Sequence, residues 1–190
     1  MAAAIADFPL MTVISDVFAP DECERIIGAG RHLPEFAGGV NDPNAKDGRN
    51  PVRDAGVRNL PPDDSFGWIY EQLFQHAGAH NQRSLGFELE QAETLQLLSY
   101  GPGQHYDWHV DIGTADLAHR KLSLVLPLSD PADYEGGELE LFFSDKPTAV
   151  PKSRGALVVF PSFVLHRVRA ISRGRRFSLA LWLRGAQRFR

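Results

Sequence analysis

The sequence has a single cysteine, Cys23, among its 190 residues. One thiol can form neither an intramolecular disulfide nor a cysteine metal cage, so a reducing cytoplasm is the expected compartment. No apolar run approaches the roughly 20 residues that a membrane-spanning helix needs. The first residues also lack the basic region of an ordinary secretory signal. We therefore expect a cytoplasmic protein with no membrane association.

Strong charge of either sign is absent as well. The formal net charge is −4 and the isoelectric point is about 6.0, which gives no global attraction to nucleic acid or to anionic lipid. With 43% hydrophobic and 23% charged residues, the composition is that of an ordinary globular protein. A chain of this length can bury one sizeable core. We predict a single domain over residues 1–190, and the composition leaves open whether it is a monomer or a homodimer.

The hydrophobic pattern divides this domain into a helical part, about 16–80, and a strand-rich part, about 85–185. Helical spacing predicts helices over 21–30 and 66–79. The segment 35–62 between them is rich in Gly, Asn, Asp and Pro, which predicts a long loop. Short apolar runs separated by turn residues then predict antiparallel strands, which suggest a sandwich or a jelly roll. These strands lie near 93–100, 104–110, 120–128, 138–143, 156–160, 164–171 and 175–184.

The chemically most informative residues are a His-x-Asp pair, His109 and Asp111, and the distant His166. Two histidines and one carboxylate are the ligand set that binds non-haem Fe(II) on one face and leaves other positions open. A second pair, His105 and Asp107, overlaps the first. In a regular strand over 104–111 all four side chains would share one face, so spacing alone does not choose between the pairs.

The surroundings of the first pair resemble the prolyl 4-hydroxylase-like (PKHD-type) family of 2-oxoglutarate and Fe(II)-dependent dioxygenases. The resemblance rests on Tyr100, Gly103 and Tyr106 before the pair, on Gly136-Gly-Glu-Leu139 and on His166 followed ten residues later by Arg176. It covers about residues 85–185 and is weaker over 16–60. It implies an α+β fold, in which a cupin-like double-stranded β-helix, or jelly roll, carries the N-terminal helices packed on one sheet.

The resemblance also implies the site and its cofactors. Fe(II) would be bound by His109, Asp111 and His166, and the carboxylate of 2-oxoglutarate by Arg176, with O₂ as the oxidant and ascorbate as a reductant. Further cosubstrate contacts are expected from Tyr100, Ser178 and Ser123.

The alternation of side chains along the last strand places Arg176 and Ser178 on one face. Arg175 then points the other way, although a slip of one residue would exchange the two arginines. A guanidinium can bind a buried carboxylate bidentately and keep its charge. We therefore expect Arg176, rather than Arg175, to anchor the cosubstrate.

The implied activity is hydroxylation of an unactivated C–H bond, in a prolyl or other amino-acid side chain, with formation of succinate and CO₂. One alternative substrate is a free amino acid or a natural-product intermediate. A rival from another class is a cupin-like metal protein without oxygenase activity, because the same ligands suit catalytic zinc. The expected partner is a peptide, a protein or a small molecule, with no nucleic acid.

Candidate substrate contacts are Tyr106, near the expected opening, and two arginines in the predicted loop, Arg53 and Arg58. The loop over 35–62, which also carries Arg49, is either a mobile lid over the metal or a simple connection between the helices. The segment 113–119 is expected to flank the same opening.

Overall fold

A computed structural model of the protein describes residues 10–38, 52–143 and 145–189. Within these ranges it contains two α-helices and fifteen β-strands. The helices are α1 (Pro20–Gly30) and α2 (Gly67–Ser84). The strands are β1 (Thr12–Ile14), β2 (Phe36–Ala37), β3 (Arg53–Asp54), β4 (Gly56–Leu60), β5 (Gln91–Ala92), β6 (Leu95–Tyr100), β7 (His105–His109), β8 (Arg120–Pro127), β9 (Tyr134–Gly136), β10 (Leu139–Phe142), β11 (Thr148–Ala149), β12 (Leu157–Pro161), β13 (Leu165–Val168), β14 (Ile171–Gly174) and β15 (Arg176–Arg184).

The first helix begins where its sequence provides a start signal. Pro20 occupies the first turn, where a missing N–H costs nothing. The Glu22 carboxylate accepts a hydrogen bond of 2.9 Å from the backbone N–H of Ala19. Helix α1 buries Cys23, Ile26 and Ile27, whose spacing places them on one face.

The second helix is longer than predicted, because it continues beyond Ala79 and ends at Ser84. Its end is fixed by Asn81, whose side-chain amide donates to the carbonyl of Phe87 at 2.7 Å and accepts from its N–H at 3.0 Å. Helix α2 buries Ile69, Leu73 and Ala77 at helical spacing. No helix in the described part of the chain is long and apolar enough to cross a membrane.

Two antiparallel sheets make up most of the described structure. The larger sheet has the strand order β1-β12-β8-β15-β6-β4-β2, with β5 paired to β15, and the smaller has the order β11-β10-β13-β7-β3. A separate ladder joins β9 and β14. Two packed antiparallel sheets with two helices agree with the predicted jelly-roll class.

The alternation of side chains in the larger sheet creates two hydrophobic clusters. Leu97 and Leu179 belong to a cluster that includes the buried faces of α1 and α2. Their neighbours Leu98 and Ala180 belong to a second cluster, which also contains Leu139 and other residues of the smaller sheet. The second cluster therefore lies between the sheets, and the cavity of the candidate site opens within it.

The prediction of one loop over 35–62 is wrong near both ends of the segment, where the structure has strands. Residues 36–37, 53–54 and 56–60 form β2, β3 and β4, and β4 pairs along five residues with β6. The pattern was hidden because Gly56 and Asn59 interrupt the short apolar run. Residues 39–51, which include Arg49, lie outside the described residues, so the lid stays a prediction. The single strand expected over 164–171 is also divided, into β13 and β14.

Candidate active site

A β-bulge in β7 decides which of the two His-x-Asp pairs faces the interior. His109 lies opposite His166 of β13, and Tyr106 lies opposite Val168, so three steps along β7 match two along β13. The extra residue shifts the alternation of side chains. The rings of Tyr106 and His109 consequently stack, with centroids 3.4 Å apart and planes 9° apart. Because of this bulge, the four side chains do not share one face as they would in a regular strand.

Three side chains converge at this point. The Nε2 atom of His109 lies 3.6 Å from one carboxylate oxygen of Asp111, and the Nε2 atom of His166 lies 3.4 Å from the other. All three ligand atoms lie within 4.8 Å of one another. Metal–ligand bonds of about 2.0–2.2 Å can bridge such separations. His105 and Asp107 are not part of this group.

The outer nitrogens of both histidines fix the orientation of their rings. His109 Nδ1 lies 2.7 Å from the carbonyl oxygen of Asp107, and His166 Nδ1 lies 2.9 Å from that of Val164. A carbonyl only accepts, so each Nδ1 donates its hydrogen and each Nε2 presents a lone pair to the centre. Burial lowers the pKa of His166, which favours the neutral imidazole that binds metal.

The carboxylate of Asp111 is held in its ionised form. Burial acts to raise its pKa, but His166, His109 and a hydrogen bond from Ser123 together hold that pKa well below its usual range. The Ser123 hydroxyl donates to Asp111 Oδ2 at 2.6 Å. The structure thus gives Ser123 a contact with the acidic ligand that sequence reasoning did not anticipate.

Beside the triad lies a buried arginine, Arg176. Arg176 is 2% exposed, and its Nη1 donates to the Ser178 hydroxyl at 2.8 Å. Among the residues that the structure describes, it forms no ion pair with a carboxylate. A buried charge without a partner is very unfavourable. Arg175, in contrast, is exposed, so the structure agrees with the predicted strand register.

Tyr100 lines the same cavity as Arg176. Tyr100 pairs with Arg176 across β6 and β15, and its ring centre lies 5.6 Å from the guanidinium carbon. Its hydroxyl is buried and finds no hydrogen-bond partner within the described residues. Burial raises its pKa, an effect that Arg53 and Arg176 partly oppose. Tyr100 and Arg176 together therefore present free donors to an anion.

The glycine pair before β10 makes room for this arginine. Gly137 has φ of +66°, and a β-carbon at this position would overlap Cδ1 of Ile171 and lie 2.9 Å from Cδ of Arg176. A side chain here would be strained and would displace both neighbours. The second glycine of the Gly-Gly-x-Leu pattern is thus explained by its positive φ and by close packing against Ile171 and Arg176.

Nine of the ten predicted site residues line one cavity in the described structure. They are Arg53, Tyr100, Tyr106, His109, Asp111, Ser123, His166, Arg176 and Ser178. The tenth, Arg58, does not line this cavity. Val57 belongs to the cluster between the sheets, so its neighbour Arg58 points to the other face of β4, where it forms an ion pair of 2.5 Å with Glu35.

Sequence reasoning gave no role to Arg120 or Glu93. The guanidinium of Arg120 donates to the backbone carbonyl of Asp111 at 3.1 Å and forms an ion pair with Glu93. Glu93 lies 27 positions away along the chain. No local motif predicts such a contact, because it depends on how β8 and the start of β6 pack.

Comparison with known proteins agrees with this geometry. Residues 95–184 match the model of the 2OG-Fe(II) oxygenase superfamily. This segment contains the whole triad, Tyr100 and Arg176. Residues 95–184, slightly less than half of the chain, are thus similar to the 2OG-Fe(II) oxygenase superfamily, whose name refers to 2-oxoglutarate and Fe(II).

The similar proteins are hydroxylases. A PKHD-type hydroxylase from Picosynechococcus sp. is 34% identical over 99 residues, which are 50% of this chain and 45% of that protein. One from Hyphomonas neptunium is 39% identical over 90 residues, which are 45% of this chain and 40% of that protein. The chain therefore spans less than half the length of these relatives. A prolyl-4-hydroxylase structure from Pseudomonas putida is 26% identical and covers 93% of both chains with a TM-score of 0.71.

A second solved structure has a similar fold at a lower sequence identity. It is a prolyl hydroxylase from Trichoplax adhaerens in complex with a peptide fragment of a hypoxia inducible factor. It is 16% identical, has a TM-score of 0.75, and covers 92% of this chain and 83% of its own. At this identity the likeness concerns the fold.

Proposed function

We propose that this protein is an Fe(II) and 2-oxoglutarate-dependent dioxygenase that hydroxylates an unactivated C–H bond, with formation of succinate and CO₂. One observation carries the proposal. The His109–Asp111–His166 triad shares a cavity with the buried Arg176 and Tyr100. Among the described residues, Arg176 forms no ion pair with a carboxylate and the Tyr100 hydroxyl has no hydrogen-bond partner. A cosubstrate that chelates the metal and also carries a carboxylate at its other end requires an anion-binding site beside the metal site.

The residues present fit these cofactors. His109, Asp111 and His166 would hold Fe(II) on one face, since each offers one ligand atom and their outer atoms are already bonded to the protein. Bound Fe(II) and 2-oxoglutarate would supply the activation of O₂ and the oxidation of the C–H bond.

The cosubstrate would be held at its far end by the protein alone. Arg176 would donate to its distal carboxylate, Ser178 would keep the guanidinium in place, and Tyr100 would add a neutral phenol donor. Charge-assisted hydrogen bonds of this kind are the strong ones. The same arrangement argues against a cupin-like metal protein without oxygenase activity, since such a protein would not need a buried arginine and a buried phenol beside the metal site.

The substrate would approach along Tyr106 and Arg53. Tyr106 stacks on His109, and burial raises its pKa to about 12, so that it remains a neutral wall of the cavity. Arg53 packs over the Tyr106 ring, with its guanidinium carbon 4.8 Å from the centroid. Its Nε is buried and has no hydrogen-bond partner within the described residues. An acceptor on the substrate would satisfy it.

A prolyl side chain in a peptide is the proposed substrate. The prolyl hydroxylases with this fold support it, one of which is in complex with a peptide fragment. A free amino acid or a natural-product intermediate is the second candidate, and the observation that favours it is the Nε of Arg53, which has no partner among the described residues and could bind a substrate carboxylate. Ascorbate as reductant and a cytoplasmic location remain predictions.

The test is formation of succinate from 2-oxoglutarate by the Fe(II)-loaded protein with ascorbate. Proline-containing peptides and free amino acids are supplied in separate reactions, and the products are identified by mass spectrometry. We expect succinate and a product heavier by one oxygen atom with one class of substrate, and neither with Asp111→Ala. If the loaded wild-type protein binds no 2-oxoglutarate and forms no more succinate than Asp111→Ala, the proposal is wrong.

A further inference from the structure

Asp111, the acidic residue of the triad, lies beyond the end of its strand. β7 ends at His109, so Asp111 is two residues beyond the strand and outside its ladder. Three contacts fix it instead. Its N–H donates to the carbonyl of Ser162 at 3.0 Å, its carboxylate accepts from Ser123 at 2.6 Å, and its carbonyl accepts from Arg120 at 3.1 Å.

Arg120 is itself held rigidly from two sides. Its Nε and Nη2 donate to the two carboxylate oxygens of Glu93 at 2.9 and 2.6 Å, in a bidentate pair. The face of its guanidinium packs on Trp182, 3.9 Å from the ring centroid. The remaining Nη1 is thereby aimed at the Asp111 carbonyl. Trp182 also lines the catalytic cavity.

We propose that Arg120 is a positioning residue for the metal ligand Asp111, and that Glu93 orients Arg120 for this task. This inference rests on the proposed function, because it assigns Asp111 to the metal. The Arg120 contact fixes the carbonyl of Asp111, and the Ser162 carbonyl fixes its N–H. Together these two contacts set the position of the Asp111 backbone, from which the carboxylate extends towards His109 and His166.

The chain offers a matched control in the same region. Arg184 also lies near Glu93, with its Nε 3.7 Å from Oε1, and its side chain is 22% exposed against 14% for Arg120. Arg184 contacts Asp116, however, and makes no described contact with Asp111. Loss of either arginine removes a positive charge beside Glu93. Only the loss of Arg120 removes the contact with Asp111.

The experiment measures binding of Co(II) to the metal-free protein by calorimetry and by the visible spectrum of the bound ion. The variants are Arg120→Gln, Arg120→Lys, Glu93→Gln and the control Arg184→Gln. Thermal unfolding of each metal-free variant is recorded alongside. A merely structural role would lower the unfolding temperature and leave the affinity and spectrum of the folded protein unchanged.

We expect Arg120→Gln to weaken Co(II) binding by about tenfold or more and to change the spectrum, as outer contacts of metal ligands do. Arg120→Lys and Glu93→Gln should show smaller losses, because each keeps part of the arrangement. Arg184→Gln should bind within about twofold of wild type.

Two results would overturn the inference while the proposed function stands. Either Arg120→Gln binds Co(II) with wild-type affinity and spectrum, or Arg184→Gln loses as much as Arg120→Gln. Failure of the wild-type protein to bind Co(II) at the triad would instead overturn the proposed function, and this inference with it.

Discussion

The clearest consequence of the structure concerns two adjacent arginines at the start of β15. Arg176, the first residue of the strand, is 2% exposed and lines the cavity, whereas Arg175, just before the strand, is exposed. Replacement of Arg176 by alanine should therefore remove the anchor for 2-oxoglutarate. Replacement of Arg175 by alanine removes an equal charge one residue away and should leave the affinity for 2-oxoglutarate unchanged.

The expected magnitude follows from the contacts. One Nη of Arg176 is engaged with Ser178, which leaves donors for two bonds to a carboxylate. Charge-assisted hydrogen bonds contribute about 1.5–3 kcal/mol each, so two contribute at least about 3 kcal/mol. Since about 1.4 kcal/mol corresponds to a factor of ten, Arg176→Ala should weaken 2-oxoglutarate binding by about a hundredfold or more.

The assay is calorimetric titration of 2-oxoglutarate into Mn(II)-loaded protein. Metal binding itself is measured in parallel and should be unchanged in both variants, because neither arginine contacts the triad. Arg175→Ala should bind 2-oxoglutarate within about twofold of wild type. Wild-type binding by Arg176→Ala, or a larger loss in Arg175→Ala, would refute the reasoning and the strand register together.

Three further predictions test other parts of the site. Tyr100→Phe should weaken 2-oxoglutarate binding by about tenfold, the value of one hydrogen bond to a charged group, yet thermal unfolding of the ligand-free protein should not occur earlier, because the lost hydroxyl is unsatisfied. Asp111→Ala should abolish Fe(II) binding in equilibrium dialysis, whereas Asp107→Ala should retain it, and the opposite result would reverse the choice of pair. Arg53→Ala should raise the KM for the substrate while Arg58→Ala leaves it unchanged, and equal effects would remove Arg53 from the substrate path.

Much of the fold could be predicted because the strands carry strong local signals. The alternation along β15 distinguishes Arg176 from Arg175 without any knowledge of the partner strands, and the structure agrees. β3 and β4 were missed because glycine and polar residues interrupt their short apolar pattern. Their stability comes from pairing with β7 and β6, which is long-range and leaves no local mark.

In the site, too, local patterns could be predicted and long-range contacts could not. His109, Asp111 and His166 could be selected from motif context, but the physical reason for excluding His105 is the bulge in β7, which periodicity cannot reveal. Arg120 was missed for a related reason. Its partners, Glu93 and the carbonyl of Asp111, are brought to it only by the packing of separate segments.

The most direct test of the central claim is an anaerobic titration of the protein with Fe(II) in the presence of 2-oxoglutarate, observed in the visible region. Chelation of Fe(II) by 2-oxoglutarate gives a metal-to-ligand charge-transfer band. We predict that the band appears with one Fe(II) per chain in the wild-type protein and is absent in His166→Ala. Its absence from the wild-type protein, or its persistence in His166→Ala, would contradict the account.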